Sequence, residues 1–176
     1  MNKLRSAKGF NLAAGVLDII ASVLAIIGAM IILFTTILAG AIGGEITEAA
    51  GGGESILAGV MLIMVLFVLI FLVEAGCFLG FGISTAKANK LEGKAYCAKS
   101  GKFLGFLITE IILLVLSVIG IVLTFDIFQV LVVVMLAIIV ILRIVGYALT
   151  RKAEKEIVAS EAAAQVKEEA QAEVAE

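Results

Sequence analysis

The chain has 176 residues, of which 62% are hydrophobic and 16% charged, with a mean hydropathy of +1.22 and a net charge of −2. A soluble domain carries about 45–50% apolar residues, so this composition excludes an ordinary water-soluble globule and calls for the bilayer as a second apolar solvent. The absence of histidine and the presence of only two cysteines exclude the His-based zinc motifs, Ser-His triads and closed thiolate zinc sites.

A helix crossing the roughly 30 Å hydrocarbon core needs about 20 apolar residues, and residues 10–39 form the first such stretch, preceded by Lys3, Arg5 and Lys8. The basic start and Ala39-Gly40-Ala41 loosely suit a cleavable signal. A signal core, however, spans about 7–15 residues, whereas this stretch runs much further and contains Asp18; it is read as a retained, tilted span. Asn11, Ala14, Gly15, Asp18, Ala21, Ser22, Ala25 and Ala29 recur at three- and four-residue spacing. Such a small and polar stripe predicts a helix–helix contact in lipid, with Gly15 and Ser22 as packing positions. The following GAIGGEITEAAGGGES is expected to be a flexible acidic linker.

The second span covers 56–85 and includes FLVEAGCFLGFG, in which Glu74 follows a long run without a charged side chain. Gly76 and Gly80 form a small-xxx-small pair about 120–160° around the helix from Glu74. That pair is a second expected packing face, directed at a neighbour or a second copy. The connection STAKANKLEGKAYCAKSGK is basic, with Gly93 and Gly101 as expected breaks. Its Lys87, Lys90, Lys94, Lys99 and Lys102 set topology and suit contact with anionic lipid headgroups, worth about 1 kcal/mol per basic residue. Cys97 is juxtamembrane and expected as a free reduced thiol, with reversible acylation as the alternative that its position allows.

The third and fourth spans, 103–124 and 127–150, are joined by a tight turn in which Asp126 and Gln129 read as a helix cap. Glu110, Ser117 and Thr124 form a sparse polar stripe on one, and Gln129, Arg143, Tyr147 and Thr150 share a face on the other. Residues 151–176 form a charged tail rich in Ala and Glu, expected to prolong the fourth helix and then fray as a solvated spacer.

Basic residues flank the N-terminus, the second connection and the tail, while the first connection and the turn at Asp126 carry only acids. By the positive-inside rule, this alternation predicts an all-α integral membrane protein. Residues 1–150 are expected to form a four-helix, up-down-up-down bundle with cytoplasmic N- and C-termini. Size and the lack of other targeting signals suit a bacterial plasma membrane.

At about 1.5 Å per residue, Asp18, Glu74, Glu110 and Arg143 all fall roughly 10–16 Å from the cytoplasmic ends of their helices. Charge at such depth costs at least about 2.5–3.5 kcal/mol on insertion scales, so these residues are expected to converge as an acid–Arg cluster. The layout is architecturally similar to that of small multidrug transporters, which also have four helices and a key carboxylate in the first. This chain is longer and lacks the Trp on which those proteins rely. The expected role is structural or partner-binding, in the lipid bilayer with a second copy or another membrane protein. Proton- or cation-coupled transport through the intramembrane carboxylates is the alternative. No enzyme activity, cofactor, metal or nucleic acid is expected.

Overall fold

In the computed structural model, backbone is described for residues 2–50, 54–124 and 127–174, and side chains for 2–41, 58–119, 130–167 and 171. The described chain is helical with no strand: α1 (Asn2–Ala50), α2 (Glu54–Asn89), α3 (Gly93–Cys97), α4 (Ser100–Thr124) and α5 (Ile127–Val174). A sequence without proline offers nothing to interrupt the i→i−4 ladder, and the helices overrun their expected ends. Residues 40–50, expected as linker, continue α1. Four described stretches are long and apolar enough to cross a membrane: Asn2–Ala41, Ala58–Asn89, Gly93–Ile119 and Val130–Lys167. The cap expected of Asp126 and the Gln129 side chain lies outside the described residues.

The basic connection is more ordered than a loop of glycines and lysines suggests. The N–H groups of Lys90 and Leu91 bond to the carbonyls of Lys87 and Ala88 at 3.3 and 2.9 Å, closing α2 with i→i−3 turns. Glu92 is extended, with φ −121° and ψ 157°. Gly93 then takes φ +49°, a left-handed conformation that costs an L side chain about 1–2 kcal/mol. Gly101 does not break the chain; it lies in the first turn of α4.

The chain divides into two compact units, Met1–Leu17 with Phe81–Glu176, and Asp18–Gly80. In the first, α4 and α3 both pack on α5. Ala88, Tyr96, Cys97 and Phe103 form a small core edged by Leu4, Leu91, Phe106, Tyr147 and Ile157. Cys97, expected as a loop thiol, is buried there, so acylation would require the α3 region to open. The tail is also more than a spacer: Ala153 is buried, Glu156 pairs with Lys3, and Glu161 pairs with Lys94. In the second unit, Ala21, Ser22, Ala29 and Thr36 of α1 and Val68, Ala75 and Phe78 of α2 are buried. A Cβ on Gly40 would come within 2.7 Å of Met61 Cε, marking one close approach of these two helices.

Candidate functional site

The register of the α4–α5 hairpin determines which polar groups meet. Glu110 lies about 21 Å before the end of α4 and Arg143 about 24 Å after the start of α5, counting 1.5 Å per residue, so antiparallel packing brings them level. Arg143 Nη2 lies 2.8 Å and Nε 3.0 Å from the same carboxylate oxygen, Glu110 Oε1. Both side chains are fully buried. Glu110 Oε2 is buried with no hydrogen bond among the described residues.

Thr85 of α2 completes the arrangement. Its hydroxyl donates to the Phe81 carbonyl at 2.8 Å, which leaves a lone pair to accept from Arg143 Nη1 at 2.9 Å. The guanidinium carbon also lies 5.5 Å from the centroid of Phe106, within cation–π range, and Phe106 stacks on Phe81 at 4.5 Å. A planar fork of five donors suits this site better than a lysine ammonium would. One cation thereby ties three helices together.

One and two helical turns further along α5, a second polar set joins α1 to α5. Asn11 Nδ2 donates to the Tyr96 hydroxyl at 2.8 Å and to Thr150 Oγ1 at 3.4 Å, while Thr150 donates to the Gly146 carbonyl at 2.8 Å. Asn11 Oδ1 sits over Gly146, where an added Cβ would lie 2.3 Å from it and 3.1 Å from the Asn11 backbone nitrogen. Only a glycine permits this approach. Lys8 Nζ stands 5.6 Å from the centroid of Tyr96 on the same side. Asn11→Ala is expected to destabilise the protein by about 1–2 kcal/mol, the worth of two buried hydrogen bonds; chemical unfolding in detergent measures it, with Tyr96→Phe as the smaller companion change.

Of the four ionisable residues expected to cluster, Glu110 and Arg143 meet within one unit. Asp18 and Glu74 belong to the Asp18–Gly80 unit. Asp18 is fully buried, whereas Glu74 is half-buried and makes no hydrogen bond or ion pair among the described residues. Among the expected packing positions, Ser22 is buried, and a Cβ on Gly15 would lie 2.9 Å from Thr85 Cβ. Gly76 and Gly80 are exposed, and a Cβ on either would meet no atom within 4 Å. Ala substitution is accordingly expected to destabilise at Gly15 by about 1–3 kcal/mol through overpacking. At Gly76 and Gly80 it is expected to be neutral or stabilising by up to about 1 kcal/mol through helix propensity; thermal unfolding of the three single variants separates these outcomes.

Sequence reasoning missed Thr85, Tyr96 and Gly146. Thr85 reads only as the end of the second span and Tyr96 as part of a lysine-rich connection, and Gly146 was overlooked although Thr150 and Ala153 follow it at four and seven residues. No group of His, Cys, Asp or Glu able to hold a metal ion occurs among the described residues. Comparison with protein-family models, with curated proteins and with solved structures finds no match to this chain.

Proposed function

We propose that this chain is a four-span integral protein of a plasma membrane, crossing up-down-up-down with both termini and the basic connection in the cytoplasm, and that its role is structural or partner-binding. The observation that supports this most is the buried Arg143, held by Glu110 and Thr85 from two other helices. Lipid tails are as apolar as leucine, so helices in a bilayer gain little from burying greasy faces. They associate through close packing and polar contacts instead. A buried ion pair with close-approach glycines at Gly15 and Gly146 is such an association. The outward faces agree with it: Leu62 is 72% exposed and Phe34 67%, surfaces that suit acyl chains better than water.

A second reading rests on Glu74, a half-buried carboxylate without a partner among the described residues. In an apolar span such a group is suited to exchanging a proton, as a small cation- or proton-coupled transporter requires.

Alkaline extraction and labelling test the membrane reading. The protein should stay in the membrane pellet at high pH. In intact cells stripped of their wall, an impermeant maleimide should label Thr47→Cys and spare Ser160→Cys. Extraction into the supernatant, or the reverse labelling pattern, would overturn it.

A further inference from the structure

The five lysines of the basic connection are not equivalent. Lys94 is engaged by Glu161. Lys87, Lys99 and Lys102 instead line one cavity of about 290 Å³, with Ser84 and the rings of Phe103 and Phe106. Among the described residues no carboxylate lines it. The larger cavity of about 600 Å³ nearby differs, because Glu92 and Glu156 stand among its basic residues.

The small cavity has a firm frame. The Lys99 N–H bonds to the Tyr96 carbonyl at 2.9 Å, and the Lys99 carbonyl accepts from the N–H groups of Lys102 and Phe103 at 2.9 and 3.3 Å. Phe103 is buried against Tyr96, ring centroids 5.5 Å apart. The backbone that carries Lys99 and Lys102 is thus fixed beside the cavity, which three cationic side chains line. Like charges brought to one cavity repel one another, so an anion that enters it is favoured.

We infer that Lys87, Lys99 and Lys102 form a binding site for the phosphate headgroup of an anionic phospholipid. The inference rests on the membrane-spanning reading proposed above. The site lies where the candidate spans Ala58–Asn89 and Gly93–Ile119 approach each other in sequence, and basic pockets between spans at a cytoplasmic surface suit anionic headgroups. Its volume admits a headgroup and little more. The rings of Phe103 and Phe106 provide an apolar wall beside the cations, a surface for the glycerol and upper acyl chain that free phosphate would not use.

Native mass spectrometry of the full chain, titrated with phosphatidylglycerol or phosphatidylcholine, tests the site. Phosphatidylglycerol should bind at least about tenfold more tightly. At about fivefold per lysine, the triple variant K87Q/K99Q/K102Q should lower its affinity on the order of 100-fold, while K90Q/K94Q leaves it near wild type. Equal losses in both variants, or no preference between the two lipids, would overturn the site. Binding of inorganic phosphate as tightly as phosphatidylglycerol would overturn its assignment to lipid. Alkaline extraction of the same preparation keeps the two readings apart: a chain that stays in the pellet without lipid preference refutes this site alone.

Discussion

Arg143→Met is expected to destabilise the protein by about 3–5 kcal/mol, the cost typical of breaking a buried ion pair from one side. The effect comes mostly from what remains. Glu110 would keep a buried carboxyl whose only hydrogen-bond donor among the described residues had gone, and Thr85 would lose the group to which it offers its lone pair. Replacing both partners is a different experiment. Glu110→Leu with Arg143→Met removes this carboxylate and this guanidinium together and fills similar volume, while the other contacts of Arg143 are lost in both variants alike. Such exchanges are often neutral or stabilising by about 1–4 kcal/mol. The double variant should therefore withstand more denaturant than the single variant. A double variant as unstable as the single one would show that the hairpin needs the ion pair itself.

Gly146→Leu is expected to destabilise by about 2–3 kcal/mol, within the range of overpacking a tight contact. The position has no slack. Its Cβ would sit 2.3 Å from Asn11 Oδ1 and 2.7 Å from Cγ, and the Asn11 amide is held by Tyr96 and Thr150. The amide cannot swing aside without surrendering those bonds, and the Asn11 backbone nitrogen at 3.1 Å cannot move without α1. Unfolding of Gly146→Leu and Gly146→Ala in detergent should show a graded loss. An unchanged midpoint in both would mean that α1 does not approach α5 here.

The four apolar helices were legible because hydropathy over twenty residues is a coarse signal, robust to error in any one position. Their ends were not: GAIGGEITEAAGGGES reads as a linker by its glycines, yet α1 continues to Ala50 because Ala, Ile and Glu sustain a helix that no proline interrupts. Depth counting puts Glu110 and Arg143 at one level, and the hairpin pairs them. The same counting puts Asp18 and Glu74 there as well; Asp18 is fully buried, whereas Glu74 is only half-buried, because level says nothing about direction around a helix. Gly76 and Gly80 form the more conspicuous pair and face open space, while Gly146, matched at four residues only by Thr150, makes the closest approach among the described glycines. Spacing marks where a helix can be approached; the partner decides where it is. Thr85 was invisible for a related reason, since its role depends on an arginine 58 residues away.

Ion flux through purified protein in liposomes loaded with a pH-sensitive dye tests the central claim most directly. A structural bundle predicts that, under an imposed proton or cation gradient, wild-type protein leaks no faster than empty liposomes, and that Glu74→Gln and Glu110→Gln change stability or assembly without changing flux. Wild-type flux well above the empty control, abolished by Glu74→Gln in a variant that still folds, would contradict it and make the carboxylate a carrier of protons.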